Sequence, residues 1–336
     1  MANLKHMDND MAVSPIVATL VLIVVAVIGA VAVGTIMGTF STDVSKQANA
    51  GDASGAASTE ILIAGSTTVQ PASENLAKSY MAAHPGMKIT VQAGGSGAGV
   101  SSAGSGIVDI GAASRALNDA EKTSYPDLET YQIGGSGVVF IVNDANTIAA
   151  VPKAQLTNAF GANDDFTGAV LAAATTPITV AYQRSEASGT EDTVSKYLLG
   201  NDAYMNKNLN ATGQVGNAGM LAAVKGNTAS IGFVDLGYAV DSSGAEVAGI
   251  DIVTVIDVGV DGTVAPSKTT VLAALKDEKA KTAQQNNFPQ GLVRPLNYVV
   301  KGTPSSVVKN YINYAQSPGA IADFNAAGMF GLAEFA

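Results

Sequence analysis

The sequence predicts an open α/β body with small polar residues gathered at its strand ends, preceded by a long apolar helix. Three observations carry this expectation. Residues 60–115 repeat a unit of short apolar run, small-polar turn and further segment three times. A fourth such unit follows around Arg184. From Met11 to Thr42 there is not a single charged residue. The 336 residues suffice for one large domain or two medium ones. With 18 Lys+Arg against 28 Asp+Glu, the net charge is −10, and no basic run supplies the stripe that nucleic acid requires. There is no cysteine, so disulfides, thiol nucleophiles and thiolate metal sites are excluded. Two histidines, His6 and His84, leave little material for a zinc site or a Ser/His/Asp triad. No metal, cofactor or enzymatic activity is expected.

The apolar segment is centred on Ile16–Gly34. A run of about 20 apolar residues spans a bilayer as a helix. This one is apolar all round, unlike an amphipathic core helix, and longer than the apolar core of a cleaved secretory signal. Asp8-Asn9-Asp10-Met11-Ala12-Val13-Ser14-Pro15-Ile16-Val17 resembles the N-terminus of euryarchaeal type IV pilins. That resemblance implies a leader of residues 1–12, cleaved between Ala12 and Val13, and a helix over residues 13–40. The helix would sit in the membrane as an anchor or self-assemble into a filament core, and Gly29, Ala30, Ala32, Gly34 and Gly38 permit close helix approach. Residues 41–59, rich in Ser, Ala, Gly and Asp, read as a flexible linker.

The body begins with Glu60–Gly65, a strand, then Ser66-Thr67-Thr68 and a helix through Leu76 and Tyr80. This order puts hydroxyls and free backbone N–H groups at a helix start, where partial positive charge suits an anion. The second strand, Lys88–Ala93, runs into Gly94-Gly95-Ser96-Gly97-Ala98-Gly99. Alone that loop is a weak signal; no Lys follows its glycines as in a phosphate loop, and Asp109 falls nearer than the acid of a dinucleotide loop, which stands about 20 residues on. The third strand, Ile107–Ala112, leads to Ser114 and Arg115. Strands delivering Ser and Thr at their ends fit an open α/β sheet that binds at strand C-termini.

The densest constellation is Ile178–Thr193. A strand delivers Arg184, and Ser188-Gly189-Thr190 opens a helix through Leu199. Arg184 offers a planar fork of donors suited to a tetrahedral oxyanion, with Ser188, Thr190 and their backbone N–H groups as neutral donors. Glu186 either fixes Arg184 or is a solvated loop acid. Val138–Asn143 reads as a crossover strand between lobes, and Leu292–Val300 as a returning one whose lobe stays open. His84 reads as an exposed helix end, Tyr311, Ile312, Tyr314 and Ala315 as core, and Asp164-Asp165 as a solvated turn.

Gly65–Thr68, Gly94–Gly97, Ser114-Arg115, Arg184-x-x-x-Ser188-Gly189-Thr190 and Ile231–Val234, in this order and spacing, resemble the phosphate-binding proteins of ABC importers. The likeness spans residues 60–336 and implies a two-lobed, periplasmic-binding-protein type II-like α/β fold. It places lobe one at about 60–142 and 259–336 and lobe two at about 143–258, with hinges near Asn143 and Asp257. By resemblance, Ser66, Thr67, Thr68, Ser96, Gly97, Ser114 and Arg115 line lobe one; Arg184, Ser188, Gly189 and Thr190 line lobe two. The expected partners are inorganic phosphate, an importer permease and the membrane, at the cell surface or in an extracellular filament; a filament subunit with a phosphate-binding-like outer domain is the alternative. Some members carry an Asp after the third strand that accepts the proton of bound hydrogen phosphate. Arg115 replaces it, as in another branch, which implies weaker rejection of sulfate; a structural salt bridge is the other role open to Arg115.

Overall fold

The structure is a computed structural model that describes residues 59–146, 148, 150–160, 176–200, 212–257, 264–282 and 288–336. The leader, the apolar segment, the linker up to Ser58 and the Asp164-Asp165 turn lie outside the described residues. Among the described residues no helix is long and apolar enough to cross a membrane. Ser58–Ala336 forms one compact unit.

Strand β1 (Thr59–Gly65) lies between β2 (Met87–Ala93) and β3 (Ile110–Ala113), all parallel. Helices α1 (Gln70–Ala83) and α2 (Ser96–Gly104) connect them. The third strand starts later than its apolar pattern suggests. The Asp109 carboxylate accepts the Leu62 N–H at 2.8 Å, while Ile107 turns outward and donates its N–H to the end of α2 at Ser102. A side chain thus stands in for a ladder rung. Asn118 then caps the short helix α3 (Asp119–Ser124).

Strand β4 (Leu128–Asn143) has 16 residues and holds the lobes together. Its first part, Leu128–Gly137, pairs antiparallel with β10 (Val293–Lys301), which also pairs with β3. Its second part pairs antiparallel with β8 (Ser230–Asp235) and β9 (Ile250–Ile256). The partner switch falls between Gly137 and Val138, upstream of the boundary near residue 142 that the sequence suggests. Beyond β8 lie β6 (Val180–Arg184) and β7 (Thr212–Gln214), both parallel, and β5 (Ala150–Pro152) adds to β9. The main sheet order is β2-β1-β3-β10-β4-β8-β6-β7.

The glycine-rich Gly134-Gly135-Ser136-Gly137 stretch, upstream of the Val138–Asn143 strand that the sequence predicts, is already part of β4. A Cβ at Gly135 would come within 2.6 Å of Leu275, and one at Gly137 within 2.8 Å of Val271. The strand stays extended because neighbouring side chains occupy the space its own would take. Both neighbours belong to α8 (Lys268–Ala280), whose Val271 and Leu275 pack with the second-lobe apolar cluster, although that segment was expected in lobe one.

Two apolar clusters underlie the lobes. The first gathers Ile61, Ile63, Leu76, Tyr298, Tyr311 and Phe324; the second gathers Phe140, Phe160, Leu198, Met220 and Phe233. Each such side chain contributes about 1.5–3 kcal/mol by leaving water. Tyr311, Ile312 and Ala315 lie on the buried stripe of α9 (Ser306–Ala315), as their spacing predicts, whereas Tyr314 is only half-buried, its hydroxyl donating to Asp323 at 2.7 Å; α10 (Ile321–Ala326) adds Phe324. His84 is exposed at the end of α1 and stacks on Tyr80. The remaining helices α4 (Lys153–Phe160), α5 (Gly189–Leu199), α6 (Gly216–Lys225) and α7 (Leu236–Ala239) belong to lobe two.

Candidate functional site

On the lobe-one side, the turn after β1 folds Ser66 back so that its Oγ accepts the N–H groups of Thr68 and Val69 at 3.2 and 3.4 Å. This satisfies donors at the start of α1 that have no partner within the helix. The same hydroxyl donates to Ser114 Oγ at 3.1 Å. Ser96 Oγ, at the start of α2, accepts the Ser114 N–H at 3.1 Å and lies 3.3 Å from Ser114 Oγ. The ends of β1, β2 and β3 therefore deliver three serines to one spot.

Lobe two meets this spot directly. Ser188 caps α5, its Oγ accepting the N–H groups of Thr190 and Glu191. Gly189 is pressed against lobe one: a Cβ there would lie 2.5 Å from Ser114 Oγ and 2.8 Å from Ser96 Oγ. Only glycine permits that approach. Thr68 Oγ1 and Thr190 Oγ1 are 3.2 Å apart, and the Gly97 N–H donates to the Ala187 carbonyl at 3.1 Å. Gly216, opening α6, faces Thr67. Four helix starts, those of α1, α2, α5 and α6, thus border one cleft, where their positive dipole ends converge; Ser66 Oγ, the Ala187 carbonyl, Ser188 Oγ and Glu186 Oε1 take N–H groups there.

Arg184 is buried at the end of β6. Its Nη2 donates to Thr67 Oγ1 across the lobes at 3.0 Å, its Nη1 to Asn217 Oδ1 at 3.4 Å, and its Nε to Glu186 Oε1 at 3.0 Å. Nη2 also donates to Glu186. Glu186 therefore orients the guanidinium; it is not a free loop acid.

Arg115 does not join this cluster. Its Nη1 and Nη2 donate to Glu121 at 2.6 and 2.7 Å, and its Nε lies 2.5 Å from Asp192 Oδ2 on α5. The structural salt bridge is the role the structure gives it. These carboxylates hold its guanidinium above the ordinary range in spite of burial. Its guanidinium faces Glu121 and Asp192 rather than the serine–threonine cluster. Ser66, Thr67, Thr68, Ser96, Gly97, Ser114, Arg184, Ser188, Gly189 and Thr190 do converge.

Sequence reasoning missed four neighbours. Asn217, at the start of α6, donates to Thr68 Oγ1 at 3.0 Å and accepts the Asp235 N–H. Arg294, on β10, donates to Thr68 Oγ1 at 3.0 Å, Ser114 Oγ at 3.3 Å and Ser136 Oγ at 3.3 Å. Asp235 pairs with Arg294 at 2.9 Å. Tyr238 donates to the Thr67 carbonyl at 2.9 Å, and burial pushes its phenol up to about 12. An arginine inside the apolar run Leu292–Val300, and an aspartate closing Ile231–Val234, were the available signals, because a buried charge requires a partner. Glu191, also buried, accepts the Arg184 N–H at 2.5 Å; desolvation chiefly, with nearby Asp192 and Glu186, pushes its carboxyl up to about 7.

The arrangement offers hydroxyls, helix starts and guanidinium groups from two lobes to one small anion. Among the described residues no group of three or more His, Cys, Asp or Glu could hold a metal ion.

A family model described as "PBP superfamily domain" matches residues 50–318. Over 162 residues the chain is 32% identical to the phosphate-binding protein PstS of Bacillus subtilis, covering 46% of this chain and 52% of that protein. It is 29% identical over 101 residues to the phosphate-binding protein PstS 2 of Streptococcus agalactiae, covering 30% and 34%. The matches thus span about half, or less, of these relatives' length. Among solved structures, a substrate-binding protein from Clostridium perfringens with bound phosphate superposes with a TM-score of 0.65 at 24% identity, covering 81% of this chain and 99% of that one. An ABC-type phosphate transport receptor from Vibrio cholerae gives 0.58 at 23%, covering 81% and 100%. These likenesses establish the two-lobed binding-protein fold.

Proposed function

The chain belongs to the PBP superfamily, and from that premise we propose that it is an extracytoplasmic phosphate-binding protein that captures phosphate between its lobes and presents it to an ABC importer permease. The observation that carries this reading is Arg184 of lobe two donating to Thr67 of lobe one, beside the Thr68–Thr190 contact. A tetrahedral oxyanion has several acceptor oxygens and matches a donor set that closes from two sides. The relatives named phosphate-binding proteins support the same ligand. The site residues are Ser66, Thr67, Thr68, Ser96, Gly97, Ser114, Arg184, Ser188, Gly189 and Thr190. Their role is binding without covalent chemistry.

The uncharged Met11–Thr42 segment supports a surface tether, processed between Ala12 and Val13 in the manner of type IV pilins. The same segment supports the second reading, a filament subunit carrying this unit outside.

Calorimetric titration of the full chain in detergent with inorganic phosphate is the test, and absence of binding refutes the ligand. Arg184→Ala removes charge-assisted donors, each contributing about 1.5–3 kcal/mol, and should weaken phosphate binding by roughly a hundredfold. Normal affinity in that variant would place the ligand elsewhere.

A further inference from the structure

Glu191 is buried near the start of α5, and its side chain reaches back along the chain. Ser188-x-x-Glu191 has the sequence of a capping box, in which the acid would return to the N–H of Ser188. Ser188 keeps its half of the motif, accepting the Glu191 N–H at 3.4 Å. The acid does something else: its Oε2 accepts the Arg184 N–H at 2.5 Å. One side chain thus ties the end of β6 to the start of α5. The turn it closes carries Arg184, Ser188, Gly189 and Thr190, the lobe-two share of the site. The β6–β8 pairing covers only Val180 and Ala181, and Arg184 lies beyond it. The guanidinium is fixed at its tip, Nε and Nη2 donating to Glu186 and Nη1 to Asn217. Glu191 fixes the root, at the peptide from which that side chain springs. A shift of the root would carry Nη2 away from Thr67.

The site needs an acceptor at this point but no charge. Glu186 already balances the Arg184 guanidinium, and Asp192 is met by Arg115 of lobe one. Arg184, Glu186 and Asp192 are the charged groups around Glu191. Its Oε1 is buried with no hydrogen-bond partner. An ionised carboxylate with a bare buried oxygen is far costlier than a neutral carboxyl. Desolvation accordingly pushes the group up to about 7. A neutral carboxyl still accepts a hydrogen bond, and it adds no negative charge beside an anion.

We propose that Glu191 is a positioning residue of the anion site: as an uncharged hydrogen-bond acceptor it anchors the root of Arg184, and phosphate affinity depends on that anchor. This rests on the phosphate reading above and adds to it a residue that acts through Arg184 without touching the ligand.

Calorimetry with inorganic phosphate on the full chain in detergent, at about pH 6, tests this, with the folding of each variant checked by its urea midpoint. Glu191→Gln keeps an uncharged acceptor of the same reach and should bind phosphate within about threefold of wild type. Glu191→Leu keeps much of the volume but leaves the Arg184 N–H without an acceptor, and should weaken binding by roughly tenfold or more. Glu191→Ala repeats that comparison with a side chain that fits any packing, so the test survives misfolding of the leucine variant. On an Arg184→Ala background the same loss should shrink below about threefold, because the anchor then holds nothing that reaches the ligand. Folded Glu191→Leu or Glu191→Ala chain that binds phosphate as tightly as wild type overturns the proposal. So does Glu191→Gln chain that loses as much affinity as the leucine variant. A loss of the same factor with and without Arg184 also overturns it, since Glu191 would then act on the fold and not through Arg184. In each of these cases the phosphate reading stands. Wild-type chain that binds no phosphate removes that reading, and this inference with it.

Discussion

Arg115 at the rim of the cleft and Arg294 at its floor each bridge the two lobes through an aspartate, yet their surroundings differ. The rim pair keeps side-chain exposures of 11% and 22%, and Arg115 divides itself between Asp192 and Glu121. The floor pair keeps 2% and 0%, and Arg294 turns its remaining donors to Ser114, Ser136 and Thr68. Water can screen the rim pair and replace lost contacts there. At the floor only protein groups, or a ligand, can do so. Burial pushes the Arg294 guanidinium down although Asp235 opposes the shift, whereas at Arg115 the carboxylates of Glu121 and Asp192 outweigh burial. Equal charges can therefore serve unequal purposes.

The largest effect should come from breaking the floor pair. Arg294→Met leaves Asp235 buried without its counter-charge and should cost about 3–5 kcal/mol in urea unfolding. A loss below about 1 kcal/mol would abolish the distinction between floor and rim.

Glu191 sharpens the comparison, because it is an acid beside Asp192 that lacks a cation of its own at the rim. Its carboxyl titrates at about 7 in the folded chain against an ordinary 4.5. Between those values the folded state holds a proton that the unfolded state has released. Stability from this group is therefore complete below about pH 4.5 and falls as pH rises through about 7, by about 3 kcal/mol in total. Glu191→Gln should flatten that segment of a stability–pH curve measured by denaturant midpoint. An unchanged slope would show that the carboxyl is ionised throughout.

Arg115→Ala should have the smallest effect, about 1 kcal/mol of stability, diminished further by salt. Its loss removes a contact that favours closure, so phosphate affinity should weaken no more than about fivefold. The ratio of phosphate to sulfate binding should not move. A changed ratio would return Arg115 to the ligand, as the family resemblance implied.

Legibility in the sequence followed the range of the interaction. Ser188, Gly189 and Thr190 were readable because capping and helix start are set within four residues, as were Ser66–Thr68 after β1. Arg115 stood in the right place along the chain, but Glu121 and Asp192 decided its direction. Arg294 and Asp235 were invisible as a pair because 58 residues separate them and only the two ladders of β4 bring them together. The early half of β4 was lost for a related reason. Glycines that signal a loop by propensity are held extended here by Val271 and Leu275, more than 130 residues onward.

Because β4 belongs to both sheets without interruption, the lobes are not interchangeable modules. A graft that exchanged the second lobe would have to carry Val138–Asn143 with it, and so reset the register of Leu128–Gly137 against β10. It would also part Asp235 from Arg294, and the glycines of β4 from the α8 side chains fitted to them. Recombination between relatives would therefore tend to transmit this cleft whole rather than by halves.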